Sequence, residues 1–490
     1  MKVEIELTNT ECKVKTPLDP TTLAILRAEC SFKPEGSEYM AYNYRKRGAK
    51  WDGSKKLFNI QSRRFPVGLL HKVTGLLHGM GNEVEYINNR KYAPDECEYQ
   101  IDNFESRDYQ TRVVYASVTH GNGIIKAATG SGKTTMAART IAAIGKPAVF
   151  IVHTRDLLYQ TIEAFSRIFP NERIGQIGDG IFEFRNITVA TMQSLAILGD
   201  VKYESYKYDE DSQTIKESKE YYQREELKKK FIDHAKHVGV VMFDEVQLIC
   251  SQTAYSVRFL FDNANYAFGY SASPWRDDGS DMMIEAAFGA RICDVTASEL
   301  IDLGYLVQPH IQIHKVQDHF YTGKKYAEIY ESAIVQNPMR NLQVANDAYE
   351  QYLMGRNTLV LINHIAHGEA MEEILKSLGA PAVFISGKSR MKYRRQVIQD
   401  MRDGKAPIVI ASTIADVGLD VPRLQTVVEA GAGKSSVTAL QRLGRVMRPF
   451  EGKDSCYFIT YRDNAPYLKT QVDNKIRIWS TEPNFIIEER

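Results

Sequence analysis

A nine-residue stretch lies between an apolar run and a segment with helical periodicity: Ala127-Ala128-Thr129-Gly130-Ser131-Gly132-Lys133-Thr134-Thr135. The run before it contains Ile124 and Ile125, and the segment that begins at Thr134 reads T-T-M-A-A-R-T-I-A-A-I. An apolar strand, a glycine turn and a helix in this order form a cradle for phosphate groups. The spacing fits the pattern G-x-x-x-x-G-K-[ST], except that Ala127 stands at the first glycine.

The residue types of this stretch suit ATP and Mg²⁺. Gly130 and Gly132 allow a tight turn in which successive backbone N–H groups point at phosphate oxygens. Lys133 can reach the β and γ phosphates, and the Thr134 hydroxyl is placed to bind Mg²⁺. A Gly/Ser turn that binds nothing is the alternative, but the flanking strand and helix favour the nucleotide. We therefore predict a cofactor site formed by Thr129, Gly130, Ser131, Gly132, Lys133, Thr134 and Thr135.

Composition is that of an ordinary globular protein with several domains. The chain has 490 residues, of which 43% are hydrophobic and 25% charged. Its six cysteines contain no C-x-x-C pair, which argues against a zinc site or a disulfide framework. No apolar run is long enough to span a membrane, and no signal-peptide core is present. We expect a cytoplasmic protein without a membrane partner.

A basic segment near the N-terminus is a candidate nucleic-acid contact, although the net charge is only +1. Residues 45–64 contain eight Lys or Arg and one acid, Asp52, with aromatic residues among them. Such a mixture suits phosphate contact and base stacking. The alternative is a solvated charged surface over a small aromatic core. We predict a β-hairpin over residues 40–61 and nucleic-acid contacts at Arg45, Lys46, Arg47, Lys50 and Trp51.

The rest of the chain predicts two similar α/β domains in tandem. Short apolar strands such as P-A-V-F-I-V and G-V-V-M-F alternate with helical stretches, which is typical of a parallel sheet covered on both faces. A second run of this kind, including T-L-V-L-I-N and P-I-V-I-A-S, follows after about residue 300 without a phosphate loop. We predict an α/β small domain at residues 1–95, parallel-sheet domains at 96–298 and 299–460, and a tail at 461–490.

A pair of acids ends another apolar strand. Asp244 and Glu245 follow G-V-V-M-F, where one carboxylate can hold Mg²⁺ and the other can act as general base on water. The pair is a weak signal alone and a strong one when Lys133 lies 111 residues upstream.

The order of these and further motifs resembles superfamily 2 helicases and translocases of the DExH type. The resemblance covers about residues 104–450 and implies two RecA-like motor domains. It implies adenine recognition by Arg107 and Gln110. It implies nucleic-acid contacts at Thr154, Arg155, Thr191, Gln193, Ser386, Gly387 and Thr413, and coupling of ATP state to strand movement at Ser271-Ala272-Ser273-Pro274.

In the second predicted domain the resemblance places Gly418 and Asp420 at the nucleotide. Residues 441–448, Q-R-L-G-R-V-M-R, fit the pattern Q-x-x-G-R-x-x-R. Arg445 and Arg448 are three apart, so both can point from one helix face at a γ-phosphate. The resemblance thus implies catalytic roles for Lys133, Asp244, Glu245, Gln247, Gln441, Arg445 and Arg448, and Mg²⁺ ligation by Thr134 and Asp244.

One position departs from this family pattern. The sequence reads D-E-V-Q, with Gln247 where the family has histidine. Glutamine both donates and accepts hydrogen bonds, so we predict that coupling to Ser271 and Ser273 persists without any histidine-specific role.

The N-terminal region is similar to the small domain of phage UvsW-type branch-migration helicases, on the residues W-D-G and F-P-V-G-L-L between positions 51 and 70. This likeness implies branched DNA as substrate: forks, Holliday junctions and R-loops with their RNA. We expect a monomer that works with recombination or replication proteins. Two alternatives stay open: an RNA-directed DExH helicase and a double-strand DNA translocase subunit of a restriction-type complex.

Overall fold

The computed structural model describes residues 1–38, 41–42, 51–102, 106–201, 219–275, 279–316, 320–412, 421–433 and 436–490. The chain divides into two compact units. One contains residues 1–127 and 132–294, and the other contains residues 128–131 and 295–490. The domain boundaries expected from the sequence stay predictions.

The N-terminal part of the first unit is a small α/β module. Its strands are β1 (Lys2–Leu7), β2 (Glu11–Val14), β3 (Ser31–Phe32), β4 (Lys55–Lys56), β5 (Arg64–Pro66) and β6 (Glu83–Asn88), and its helices are α1 (Pro20–Glu29) and α2 (Leu70–Gly79). Four strands form a sheet in the order β5-β2-β1-β6. Alternate residues of β1, including Val3 and Ile5, are buried, so the two-residue period of the sequence becomes one buried sheet face.

The hairpin expected over residues 40–61 is wrong in its described part. Residues 41 and 42 are helical, and β4 pairs antiparallel with β3. The backbone N–H of Leu57 donates to the carbonyl of Cys30 at 2.9 Å, which extends the same pairing. The partner strand thus follows α1 and lies outside the predicted segment.

The larger part of the first unit is an eight-stranded sheet in the order β10-β9-β11-β8-β12-β13-β7-β14. Its strands are β7 (Asn122–Ala127), β8 (Ala148–Val152), β9 (Gly175–Gly178), β10 (Ile181–Glu183), β11 (Ile187–Thr191), β12 (Val240–Asp244), β13 (Tyr266–Ser271) and β14 (Arg291–Val295). The five pairs that join β9 through β7 in this order are parallel. Every residue of β8 and β11 is buried, as expected for strands covered on both faces.

Seven helices accompany this sheet: α3 (Asp108–His120), α4 (Lys133–Ile144), α5 (Arg155–Ile168), α6 (Met192–Leu198), α7 (Lys219–His237), α8 (Gln252–Arg258) and α9 (Met282–Phe288). A 3₁₀ helix spans Val246–Cys250. Helices α5 and α6 begin within three residues after β8 and β11, and α4 begins six residues after β7, beyond the phosphate loop. Their N-termini therefore lie at the carboxyl edge of the sheet, where open α/β sheets bind ligands.

The second unit contains a seven-stranded sheet in the order β17-β18-β16-β19-β20-β15-β21, with all six neighbouring pairs parallel. The strands are β15 (Gln308–Lys315), β16 (Thr358–Ile362), β17 (Ala382–Ile385), β18 (Ile408–Ser412), β19 (Thr426–Glu429), β20 (Ser455–Arg462) and β21 (Ile486–Glu489). The prediction of two parallel-sheet α/β domains in tandem is confirmed.

The helices of the second unit are α10 (Ala297–Asp302), α11 (Tyr326–Tyr330), α12 (Pro338–Leu353), α13 (Ile365–Ser377), α14 (Met391–Arg402), α15 (Ser436–Val446) and α16 (Leu468–Trp479). The segment expected to be a tail belongs to this fold. β21 pairs with β15, and Trp479 is buried with its ring 5.5 Å from that of Phe458 in β20.

Within the first unit, the small module packs directly on the eight-stranded sheet domain. Ala286 of α9 is buried in the same apolar cluster as Val3, Leu69 and Val73 of the module. Asn9 Nδ2 also donates to Asn265 Oδ1 at 3.2 Å. The module is thus attached by a shared core as well as by the connecting chain.

Within the described residues, no helix is long and apolar enough to cross a membrane. All six cysteines are free thiols, and five of them are buried.

Candidate active site

The phosphate loop connects β7 to α4. Gly130 and Gly132 have φ values of 89° and 82°, a left-handed conformation in which a side chain is strained. Gly132 directly precedes α4, and no side chain caps that helix. The first backbone N–H groups of α4 are therefore available to an anion at the positive end of the helix. Thr129, Gly130, Ser131 and Gly132 lie in the loop, and Lys133, Thr134 and Thr135 form the first turn.

Gln110 lies beside this loop. A β-carbon on Gly132 would lie 2.9 Å from Gln110 Nε2, so the amide packs directly against the loop backbone. Arg107 precedes α3, and its backbone N–H donates to Gln110 Oε1 at 3.4 Å. The Arg107 guanidinium donates to the Tyr109 hydroxyl at 2.9 Å. The two predicted adenine-reading residues are thus held next to the phosphate loop by the start of α3.

Asp244 and Glu245 lie at the carboxyl end of β12, next to the start of α4. Glu245 Oε1 is 3.9 Å from Lys133 Nζ. Burial first, and then the Glu245 charge, raise the pKa of Asp244 to about 6, while the charge of Lys133 partly opposes them. A cation here would relieve the repulsion between the two carboxylates.

Gln247 links Glu245 to β13. Its Nε2 donates to Glu245 Oε2 at 2.7 Å, and Ser271 Oγ donates to Gln247 Oε1 at 2.6 Å. The Ser273 backbone N–H in turn donates to Ser271 Oγ at 3.0 Å. The chain of hydrogen bonds predicted for glutamine at this position is present, because β12 and β13 are neighbours and end at the same edge.

His153 also lies in this site, although it is not among the site residues named from the sequence. It follows β8, which pairs with β12, and burial lowers the pKa of its imidazole while the nearby Glu245 charge raises it. The imidazole is therefore held neutral close to the acid pair. Its place at the carboxyl end of an apolar strand was the signal available in the sequence.

The predicted nucleic-acid residues of this unit lie at the same sheet edge. Thr154 Oγ1 caps α5 by accepting from the Leu157 backbone N–H at 3.3 Å. Thr191 caps α6 in the same way at Ser194, with a 3.4 Å bond. Gln193 Nε2 donates to the His153 carbonyl at 3.4 Å. The two segments meet because β8 and β11 are parallel neighbours.

Arg155 has a partner that the sequence did not predict. Its Nε is 3.0 Å from Asp179 Oδ1, and the Tyr159 hydroxyl donates to Asp179 Oδ2 at 2.6 Å. Asp179 lies in the turn between β9 and β10 with φ 54°. Followed by Gly180, it forms the Asp-Gly turn that suits a two-residue hairpin.

Comparisons with known proteins agree with this geometry. A model of the family described as type III restriction enzyme, res subunit, matches residues 103–276, and a model of the helicase conserved C-terminal domain matches residues 342–449. The ATP-dependent DNA helicase uvsW of Enterobacteria phage T4 is 25% identical over 90% of this chain and 86% of its own length. The DNA 3'-5' translocase XPB2 of Sulfurisphaera tokodaii is 25% identical over 75% of this chain and 84% of its own length.

The chain belongs to the superfamily 2 helicases. It is an ATP-dependent helicase with two RecA-like domains, as predicted. The fold is also similar to that of the DNA-bound Type ISP restriction-modification enzyme LlaBIII, with a TM-score of 0.55 at 14% identity over 83% of this chain and 34% of that enzyme. Among the first curated relatives compared, the matched part of the relative ranges from 50% to 86% of its length.

The helicase has residues that fit ATP with Mg²⁺. Among the residues that the structure describes, no group of three or more His, Cys, Asp or Glu could hold a metal. Magnesium usually takes one or two protein oxygens together with substrate phosphates, so Thr134 and Asp244 are sufficient ligands. The left-handed glycines and the free start of α4 supply the phosphate cradle.

In the second RecA-like domain of the helicase, Ser386 follows β17, and its backbone N–H donates to Ser389 Oγ at 3.0 Å. Gly387 next to it is exposed. Arg445 is on α15, but the helix ends at Val446 and Arg448 follows it, so the prediction that both arginines lie on one helix face is wrong. Burial, together with the charge of Arg402, lowers the pKa of Arg448.

Several predicted site residues lie outside the described residues: Arg45, Lys46, Arg47, Lys50, Thr413, Gly418, Asp420 and the side chain of Gln441. Trp51 is described; its indole N–H donates to the Ser54 carbonyl at 2.9 Å and its ring is half-buried.

Proposed function

We propose that this helicase uses ATP hydrolysis to remodel branched DNA, acting on forks, Holliday junctions and R-loops. The observation that carries the proposal is the docking of the N-terminal module on the ATP-binding domain through Ala286 and Asn265. A DNA arm gripped by this module moves together with the motor domain. Similarity to the T4 helicase across 90% of the chain supports the same conclusion.

The chemistry proposed for ATP uses the side chains at the carboxyl edge of β7 and β12. Bound ATP would supply the phosphoanhydride bond that is broken, and Mg²⁺ would supply positive charge that offsets the phosphate charge. Lys133 would bind the β and γ phosphates, while Thr134 and Asp244 would hold the cation. Glu245 accepts the proton of the attacking water, oriented by its 2.7 Å bond from Gln247. Arg445 and Arg448 stabilise charge on the γ-phosphate.

The coupling proposed for movement runs through Ser271. Its hydrogen bond to Gln247 joins the general base to the Ser271–Pro274 segment, so a change at the γ-phosphate reaches the strand-contacting edge. Thr154, Arg155, Thr191 and Gln193 hold the DNA backbone there, and Ser386, Gly387 and Thr413 hold it from the second domain. The basic residues Arg45, Lys46, Arg47 and Lys50, with Trp51, grip the branch.

A panel of substrates tests this function. The purified full chain is given ATP and Mg²⁺ with labelled forks, Holliday junctions, R-loops and RNA duplexes. We expect strand separation on the forks and junctions, and none on RNA duplexes. Faster unwinding of RNA duplexes would overturn the proposal.

Lys133→Ala is the variant that connects unwinding to the ATP site. We expect it to abolish DNA-stimulated ATPase and unwinding while junction binding persists. Lys126→Ala is the matched control, because Lys126 lies near the end of β7, directly before Ala127, and pairs with Asp294 at 3.4 Å. It should keep its ATPase.

A double-strand DNA translocase that does not separate strands is the second candidate. The match of residues 103–276 to a restriction-enzyme family and the likeness to a 3'-5' translocase favour it. Displacement of a triplex-forming strand without fork unwinding would replace the first proposal by this one.

A further inference from the structure

Buried charges fix helix α15 inside the second domain. Arg442, one turn before Arg445, donates to Glu429 Oε1 at 2.9 Å. Lys475 of α16 and Thr460 of β20 both donate to Glu429 Oε2, at 2.6 and 2.9 Å. Because all four side chains are buried, their charges and hydrogen bonds are little screened by water. Through Arg442, the helix is thus anchored to Glu429 of β19, which is itself bonded to α16 and β20.

The other end of α15 is held by the ammonium group of Lys453. Its Nζ donates to the carbonyls of Val446 and Arg448 at 2.6 and 2.8 Å. It also donates to the carbonyls of Leu424 and Pro422 at 2.6 and 3.1 Å. Only 7% of Lys453 is exposed.

This arrangement satisfies groups that a helix leaves unpaired. The last carbonyls of a helix have no partner within it, and a cation there is favourable. Val446 follows Arg445 directly, and the Arg448 carbonyl belongs to the second arginine itself. The ammonium therefore ties the backbone of both arginines to residues 422–424.

We propose that Lys453 is a positioning residue for Arg445 and Arg448. The proposal rests on the function given above, in which these arginines stabilise phosphate charge. Its three charge-assisted donors fix the backbone from which both guanidinium groups extend, so that their distance to the reacting phosphate does not vary.

Protonation supplies a readout that a purely structural lysine would not have. Burial is the main cause that lowers the pKa of Lys453 to about 8; the buried thiol of Cys456 in β20 partly opposes this shift, and the charge of Arg448 adds to it. Among the described residues, these two are the titratable groups that act on its pKa, and Pro422 and Leu424 present only carbonyls to it. A neutral amine keeps two donors for four carbonyls, so the arginine backbone loosens above about pH 8.

The experiment compares Lys453→Met, Lys453→Arg and Lys146→Met in the full chain. Lys146 is a control lysine of the first unit, with its Nζ 3.4 Å from the carbonyls of Ala93 and Asp95. DNA-stimulated ATPase is measured from pH 6.5 to 9.5, well below each variant's Tm. We expect Lys453→Met to lose about tenfold in kcat at pH 7.5 with KM for ATP nearly unchanged.

The pH profile makes the test independent of how well Lys453→Met folds. Wild-type kcat should fall above about pH 8, whereas Lys453→Arg should keep its kcat there because guanidinium stays charged. Lys146→Met should follow the wild-type profile. The same alkaline decline in Lys453→Arg as in wild type would overturn the proposal, as would an unchanged kcat in Lys453→Met.

A separate result would show that Arg445 and Arg448 do not act on the phosphate, as the proposed function requires. If Arg445→Ala and Arg448→Ala keep wild-type ATPase, the arginines lack the proposed role, whatever Lys453 does. If both lose ATPase while Lys453→Met and Lys453→Arg behave as wild type, only the positioning role is excluded.

Discussion

Gly68 lies against the backbone of Glu285, and a β-carbon on it would overlap the carbonyl oxygens of Glu285 and Ala286. Gly68 belongs to the N-terminal module, and Glu285 belongs to α9 of the ATP-binding domain. Glycine is required here because the module and α9 approach so closely that no side chain fits between their backbones. Side-chain entropy and helix propensity do not explain it.

Gly68→Ala should therefore loosen the module from the motor domain. Inserting a methyl group into a tight contact costs about 1–3 kcal/mol. We expect a lower Tm and weaker junction binding, with basal ATPase largely kept. Gly75→Ala is the control, because Gly75 lies in α2 with nothing within 4 Å of its β-position; there alanine should raise helix stability by up to about 1 kcal/mol. Equal Tm changes in the two variants would contradict the tight contact.

Gln247→Ala should uncouple hydrolysis from strand movement. The variant removes the bond to the charged Glu245 and the bond from Ser271, and a bond to a charged group contributes about 1.5–3 kcal/mol. We expect kcat for ATP to fall about tenfold or more and unwinding to fall further. A double-mutant cycle with Ser271→Ala measures the link; strictly additive effects would show that the 2.6 Å bond transmits nothing.

Asp179→Asn should strengthen binding to DNA. Asp179 neutralises Arg155 at 3.0 Å, so it competes with DNA phosphate for that guanidinium. Asparagine tolerates the same left-handed turn, and we expect an affinity gain of about two- to fivefold at low salt, because an exposed ion pair contributes at most about 1 kcal/mol. Glu183→Gln serves as control. It removes one negative charge from the same hairpin, but Glu183 pairs with Arg173 and Arg185 and not with Arg155. An equal gain in both variants would attribute the effect to net charge.

His367→Gln should reduce the acid sensitivity of the second domain. His367 is buried, its Nε2 is 2.9 Å from Asn341 Oδ1, and burial lowers its pKa to about 3 from 6.5. Since the unfolded chain takes up this proton at a higher pH than the folded chain, stability is present above pH 6.5 and is lost as pH falls towards 3, by up to about 1.4 kcal/mol per pH unit.

Urea unfolding between pH 7 and 4 measures this effect through the fluorescence of Trp479, the tryptophan of that domain. We expect a shallower decline in His367→Gln than in wild type. His364→Gln is the control on the preceding turn, where the imidazole is half-exposed. Parallel declines in wild type and His367→Gln would refute the assignment.

Local patterns in the sequence were sufficient for most of the motor. The apolar runs at β8, β12, β16 and β18 form strands that are buried on both faces. A short continuous run rich in valine and isoleucine is sufficient to predict such a strand. β15 and β21 were missed: Q-P-H-I-Q-I-H-K alternates polar and apolar residues and contains a proline, and β21 has only four residues.

The site divides in the same way. Lys133 and the acid pair follow from motif spacing along the chain, Gln110 follows from the family resemblance, and all of them lie together. The roles of Asp179 and Lys453 could not be predicted in this way, because their partners lie in other segments of the chain. Asp179 pairs with Arg155 from a hairpin turn. Lys453 binds backbone carbonyls, which every residue type has, so the sequence does not indicate which ones it contacts. Such contacts depend on the packed fold alone.

The amide at Gln247 also sets how the motor responds to acidity. Between pH 5 and 8 an imidazole would gain or lose a proton, and its two hydrogen bonds would change from donor and acceptor to two donors. An amide has one of each at every pH in that range. The link from Glu245 to Ser271 therefore keeps its polarity when the surroundings acidify, so any acid inhibition of this helicase must arise elsewhere in the chain.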